Sequence, residues 1–355
     1  MNPQHLDLYT DYLLSSFGAA TTTGLSRMVD GAISHDQITR MLAGDRQGSV
    51  QLWRKVKATM RKIQSGEGVL ILDDSILEKA YTDENDIVAW HYDHSKGRMV
   101  KGINFVSLLY HSQGLTLPVG YVRVEKTEVY VDQQRGQRKR RSQVSKNEHA
   151  RHLLQTAVHN QIPFQYVLND VWFASAENMR FIVLDLKKHF VMPLKSNRKV
   201  ALSQEQQQRG QWTGVESLDY QTPTPRQVYL EGVPFPLLLV RQVFNHEDGS
   251  QGVWYLCSSD TTLDFERMIE LYQKRWGIER FHQSIRQNAA LAKSPTKTLT
   301  TQANHFFAAM WAYVKLELLS QQTWLNHFAL KAKLYLAASR AAFQELQQIK
   351  TQLTA

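Results

Sequence analysis

Two short apolar runs, each ending in an aspartate, constrain this chain more than any other feature. Gly68-Val-Leu-Ile-Leu72 leads into Asp73-Asp74-Ser75, and Tyr166-Val-Leu168 leads into Asn169-Asp170. Runs this short and this apolar predict strands buried on both faces, in a sheet covered by helices. A carboxylate at the carboxyl end of such a strand lies on the edge where open α/β sheets hold their ligands. Taken singly, each aspartate reads as a turn former or a helix cap. Taken together they point to a cation, because like charges share a buried pocket only when something neutralises them.

A third carboxylate comes from a helix. Residues 262–292 carry Phe265, Met268, Ile269, Tyr272 and Trp276 at helical spacing. If the helix runs on through Gly277, then Tyr272, Arg275, Glu279, His282 and Arg286 fall within an arc of about 80°. By itself such a row reads as a solvated face with an i,i+4 pair, Arg275 to Glu279. Beside two strand-end aspartates it reads differently. A carboxylate flanked by cations suits a divalent metal when an anion such as a DNA phosphate shares the site. Oxygen donors favour Mg²⁺ or Mn²⁺ over zinc.

With these residues in hand, the chain resembles bacterial insertion-sequence transposases of the DDE class, which have an RNase H-like core. It is similar to the group whose last acidic residue lies in a Tyr-Arg-Glu-Lys signature. Tyr272, Arg275 and Glu279 match that signature, and Arg286 stands where the family has lysine, which keeps the charge but alters phosphate geometry. Asp73-Asp74-Ser75 matches the family's first motif, an apolar strand followed by Asp-x-Thr/Ser. The likeness spans about residues 65 to 320 and implies an α/β fold: an RNase H-like mixed sheet flanked by helices, a β-rich insertion before the last catalytic helix, and an N-terminal helical domain. It implies Asp73, Asp170 and Glu279 as catalytic residues and ligands of two Mg²⁺ ions, with Mn²⁺ able to substitute. Asp74 competes with Asp73 for the first role. Tyr272, Arg275 and Arg286 are implied to contact DNA phosphates. Double-stranded DNA, as transposon ends and as target, is the implied partner of a homodimer in the bacterial cytoplasm, associated with the nucleoid. Two other readings stand beside it: an RNase H-like nuclease or resolvase, and an inactive DNA-binding derivative acting as a repressor.

The remainder of the chain fits a division into residues 1–65 (helical, DNA-binding), 66–194 with 263–325 (catalytic core), 195–262 (β-rich insertion) and 326–355 (C-terminal helical segment). Ser34-x-x-Gln37 is a capping box that starts a short helix running to about Leu42, with Gly24–Val29 helical before it. Gln37, Thr39 and Arg40 are the candidate DNA-facing residues of that helix–turn–helix. Val100–Tyr110 and Leu115–Val124 predict a hairpin. His91, Asp93 and His94 read as loop polars, since no further zinc-like ligand follows. The run from Arg135 to Lys146 has six cations and no acid. It predicts a solvated loop that in a DNA enzyme would grip phosphates. A helix is expected over Val144–Asn160 and another over Ser175–Lys188, with a strand at Phe190–Leu194. Short β-prone runs at 227–230, 235–244 and 252–257 make up the insertion, where Trp212 is a possible stacking residue. From Asn304 onward the pattern is helical, and the last helix is amphipathic and suited to dimerisation or to closing the core. A formal net charge of +9 with 10% aromatics suits a folded nucleic-acid-binding protein. Cys257 is the sole cysteine, which excludes intramolecular disulfides and cysteine-based zinc sites. The acidic N-terminus predicts no secretory signal, and no apolar run reaches membrane-spanning length.

Overall fold

The computed structural model describes residues 1–133, 136–220, 223–245 and 248–354. In chain order, α1 (Pro3–Ser15), α2 (Thr22–Met28), α3 (His35–Ala43) and α4 (Ser49–Ile63) come first. Then follow β1 (Val69–Glu78), β2 (Ala89–Asp93), β3 (Arg98–Ser112), β4 (Leu115–Arg123), β5 (Glu128–Val131) and β6 (Arg138–Arg141). The middle of the chain holds α5 (Lys146–His159), β7 (Tyr166–Asn169), α6 (Ala176–Arg180), β8 (His189–Leu194), β9 (Lys199–Ala201) and α7 (Gln204–Gln208). Strands β10 (Thr213–Gly214), β11 (Arg226–Leu230), β12 (Leu237–Asn245) and β13 (Gln251–Ser258) precede α8 (Phe265–Gln273), α9 (Trp276–Gln287), α10 (Leu299–Thr323) and α11 (His327–Thr354). The chain divides into two compact units: Met1–Val56 with Leu77–Gly102 and Arg280–Ala355, and Lys57–Ile76 with Ile103–Glu279.

The second unit is a mixed sheet with helices against it, as the RNase H-like expectation requires. Its strand order is β10-β9-β11-β12-β13-β8-β7-β1-β3, with β4 also paired to β3. β1 pairs in parallel with β7, and β7 in parallel with β8, while the outer strands run antiparallel. Val69 to Leu72 are all buried, as a strand covered on both faces should be. Gly68 has a packing reason: a Cβ there would lie 2.2 Å from the Tyr110 hydroxyl. The β3–β4 hairpin closes through Gln113 and Gly114, both at positive φ (51° and 77°), so the expected turn is tighter than His111–Gly114. α5 begins with Ser145 and Glu148 capping each other's backbone N–H groups.

Several features differ from the sequence reading. β1 does not stop at Asp73 but runs on to Glu78 beside β3, past the register it shares with β7. The long helix through Gly277 is broken. Arg275, Gly277 and Ile278 donate three residues back rather than four, so α8 and α9 are separate helices and one arc cannot be carried across the break. Part of the basic run is not loop: Arg138–Arg141 is a strand paired with Glu128–Val131. Arg141 meets Glu128 and Lys139 meets Asp132, so acids upstream of the run neutralise one face; Arg135 lies outside the described residues. The helix expected over Ser175–Lys188 is α at Ala176–Arg180 and then a π-turn at Phe181–Asp185. The β-prone runs after 195 extend the central sheet, since β13 pairs with β8.

In the first unit, α10 packs on α1 and α3. Buried Asn304 donates to the carbonyls of Leu42 and Gly44 and accepts from the Gln47 N–H, which satisfies the end of α3. His305 is held between the Tyr9 hydroxyl at 2.9 Å and the carbonyls of Ala290 and Leu291, and burial depresses its pKa to about 4. The Ser34 capping box forms, and Ile38 is fully buried. Gln37 is spent on that cap, and Thr39 bonds Thr22 and the His35 carbonyl, so these candidate DNA-facing side chains are exposed but locally engaged. His91 and Asp93 are not loop residues: they lie in β2, paired with Arg98–Gly102.

Candidate active site

The parallel pairing of β1 and β7 ends at Leu72 opposite Asn169, so Asp73 and Asp170 are the next residues on neighbouring strands. This is the strand edge that the two apolar runs predicted. Asp170 is held by its own turn: its Oδ1 accepts the N–H groups of Trp172 at 3.0 Å and Phe173 at 3.3 Å. Burial drives the Asp73 carboxyl well above the usual carboxylate range, and the neighbouring charge of Asp170 pushes it further. Asp170 is raised as well, first by burial, against the pull of its two backbone donors.

Successive residues on a strand point to opposite faces, and Asp73 and Asp74 divide accordingly. Asp74 accepts from Asn104 Nδ2 at 3.0 Å and from Lys146 Nζ at 2.9 Å. Asp73 faces Arg275, 3.7 Å away, and one of its oxygens lies within 4.8 Å of one from Glu279. Asp74 is thus already neutralised, while Asp73 shares Arg275 with a second carboxylate, Glu279.

Glu279 reaches this edge because α9 starts against the sheet. A Cβ on Gly277 would lie 3.2 Å from Thr116 Oγ1 and 3.5 Å from Ile71 Cδ1, so the first turn packs tightly on the sheet and a side chain there would crowd Thr116. Arg275, in the break between α8 and α9, stands 3.2 Å from Glu279 Oε1. Its guanidinium lies over Tyr272 at 5.6 Å and Trp276 at 5.8 Å. Its Nε is buried with no hydrogen-bond partner among the described residues, a donor that an anion would satisfy. Tyr272 is buried, which pushes its hydroxyl up to about 12. The structure therefore brings Asp73, Asp170, Tyr272, Arg275 and Glu279 into one unit. Arg286 falls two turns on from Glu279 along α9, in the other compact unit.

Two features of the site escaped the sequence. Lys146 belongs both to the basic run and to the helix expected over Val144–Asn160, and its place on the first turn of α5, just after the Ser145 cap, is the available signal for a fixed position. Asn104 gave none. Beside Tyr272 a cavity of about 120 Å³ is lined by Phe244, Trp254, Leu256, Tyr272 and Trp276 among others. Trp254 meets both Phe244 and Tyr272 edge to face. Trp212 is not among the lining residues.

The sequence profile described as DDE superfamily endonuclease matches residues 3–224, more than half of the chain. The chain belongs to the DDE superfamily endonucleases. A DDE endonuclease acts on DNA, and the matched segment contains both Asp73 and Asp170. Glu279 lies beyond it, so its membership of the site rests on geometry. Comparison with curated proteins gave no match. The donor set of this DDE endonuclease, carboxylate oxygens raised in pKa by burial and short of cations, fits a hard divalent metal. Among the described residues no helix is long and apolar enough to cross a membrane.

Proposed function

We propose that the chain is a DNA transposase that binds transposon terminal repeats and catalyses strand cleavage and strand transfer. What supports this reading is that Asp73 and Asp170 follow the paired ends of neighbouring strands while Arg275 stands between Asp73 and Glu279. Asp73, Asp170 and Glu279 would hold two Mg²⁺ ions, with Mn²⁺ able to replace them. When bound, such ions activate a water or a DNA 3′-OH and stabilise the leaving oxygen. Arg275 spans two of the acids and, with Tyr272 and Arg286, holds the phosphate beside the cut, acting through placement and charge. Lys146 keeps Asp74 out of this role, which supports Asp73 as the ligand. The aromatic cavity beside Tyr272 has the character of a stacking pocket and would receive an unstacked base next to the cut.

In this reading residues 1–65 bind the ends, 66–194 with 263–325 carry the chemistry, 195–262 shape the strand beside the cut, and 326–355 serve assembly. Two copies work together, one for each end, in the bacterial cytoplasm at the nucleoid. A second reading, cleavage without joining, is favoured by the family's description as endonuclease. One experiment separates the two. Purified protein is incubated with DNA carrying the element's ends, plus Mg²⁺, and products are sized. Joined molecules from a pre-cut end are expected. Cleavage with no joining would favour the second reading, and no end-dependent products would defeat both.

A further inference from the structure

The parallel strands β1, β7 and β8 start at one edge of the sheet, with Val69, Tyr166 and His189 in register. Just before those starts the chain forms a cleft of about 420 Å³, lined by Gly66, Phe164, Gln165, Lys187, Lys188 and His189 among others. Backbone bonds fix its frame: the Gln165 N–H donates to the Gly68 carbonyl at 3.1 Å and the His189 N–H to the Gln165 carbonyl at 3.0 Å. Asp73 and Asp170 stand at the other ends of the same strands. At roughly 3.3 Å per residue, Val69 and Asp73 lie about 13 Å apart along β1, so the cleft is separate from the acid site.

No acid lines this cleft, and among the described residues neither Lys187 nor Lys188 pairs with a carboxylate. Lys188 Nζ lies over the buried Phe164 ring, 5.1 Å from its centroid. His189 is held through Nδ1 by the Ser259 hydroxyl at 3.2 Å and packs on the Tyr166 ring. Asp260, whose charge acts on His189, is already bonded by the Tyr166 hydroxyl and by Thr262. Lys187 is the most telling residue. Its φ of 55° is left-handed, at the reversal where the Leu186 N–H bonds the Phe181 carbonyl and the Lys188 N–H bonds the Ile182 carbonyl. Glycine is usual at such helix ends, and a side chain there is strained. A lysine kept in that conformation points to a use for its ammonium group. The pull of a helix end on cations accounts for one lysine. It does not account for a second, held over an aromatic ring in the same cleft.

We propose that this cleft binds a backbone phosphate of DNA, away from the strands being cut. Clustered ammonium groups without an acid suit a phosphate, and phosphate contacts of this kind fix the placement of a duplex without reading its sequence. The proposal rests on action on DNA, not on strand transfer.

The test is equilibrium binding of a duplex without element ends by the full-length chain in EDTA, over about 0.05–0.3 M NaCl, with thermal melting as the control for folding. Lys187→Gly suits the left-handed backbone and should melt no lower than wild type. Combined with Lys188→Gln, it should weaken binding about fivefold at the lowest salt. It should also reduce the slope of log affinity against log salt by about 0.9, the share of one phosphate. Gly66→Glu leaves both lysines in place and adds a carboxylate where a Cβ meets nothing within 4 Å, and it should weaken binding by as much. Wild-type affinity and slope in either variant would overturn the proposal, as would a wild type that leaves the duplex unbound. So would variants that lose only the heat of titrated inorganic phosphate while binding duplex normally, which would assign the cleft to a free anion. Cleavage and joining in Mg²⁺ are read separately, so this proposal and the transposase reading fail independently.

Discussion

Replacing Asp73 by asparagine keeps the shape of the side chain and removes one charge from the acid cluster. At an effective dielectric of roughly 20, attraction to Arg275 across 3.7 Å amounts to about 4 kcal/mol. Repulsion from Glu279, with oxygens within 4.8 Å, comes to about 3 kcal/mol, and the 46% exposure of that side chain screens it to a fraction. Against the Arg275 attraction stand the burial of the carboxylate, which costs several kcal/mol, and the charges of Asp170 and Asp74. The upward displacement of the Asp73 pKa says that the unfavourable side wins. Asp73→Asn should therefore stabilise the metal-free protein at neutral pH by about 1–3 kcal/mol. The sign of the pH dependence follows. A carboxyl whose pKa is raised on folding contributes stability below its unfolded pKa and loses it as pH rises through the folded value. The advantage of Asp73→Asn should thus vanish near pH 4 and grow toward neutrality. Mg²⁺ should do the reverse. At tenfold excess over its dissociation constant it stabilises the wild type by about 1.4 kcal/mol and the variant by much less. Urea unfolding at pH 4 and pH 7.5, in EDTA and in Mg²⁺, measures all four states. A variant less stable than wild type in EDTA at pH 7.5, or one with the full Mg²⁺ gain, would refute the reasoning.

Three further outcomes are expected. Arg275→Lys keeps the charge but cannot span Asp73 and Glu279 while lying over Tyr272 and Trp276. Turnover in a DNA-cleavage assay should fall by about 10–100-fold with melting little changed. Gly68→Ala drives a methyl group into buried Tyr110 and should cost about 2–4 kcal/mol in urea unfolding; a loss under 1 kcal/mol would mean that the strand start tolerates a side chain. His305, with a folded pKa of about 4 against an ordinary 6.5, stabilises its unit above pH 6.5, and that stability drains as pH falls through about 4. The full loss is about 3 kcal/mol, and His305→Gln should flatten the dependence of the melting temperature between pH 6.5 and 4.

The parts of the site legible in the sequence were those encoded by local pattern. Apolar strands that end in acid announce themselves, because burial on both faces demands an uninterrupted run and the ligand edge demands a break in it. The capping box at Ser34 was readable for the same reason: it is complete within four residues. What stayed hidden depended on distant partners. β1 continues past two aspartates because Lys146 and Asn104, far along the chain, satisfy Asp74. The break before α9 was masked by an unbroken apolar stripe, although Gly277 marked the spot where the helix meets Thr116 and Ile71. Arg138–Arg141 looked too charged for a strand, and only the pairing with Glu128–Val131 shows where the neutralising acids stand.

The central claim is that Glu279 completes the acid cluster for chemistry on DNA. It is tested most directly by Glu279→Gln, which keeps the side chain's size and removes its charge. Wild type and variant would be compared for end binding by titration and for cleavage and joining in Mg²⁺, on the same DNA and at the same salt. The account predicts binding within about threefold of wild type and a loss of cleavage and joining of at least about a thousandfold. Cleavage within tenfold of wild type, or binding and cleavage lost together, would contradict it.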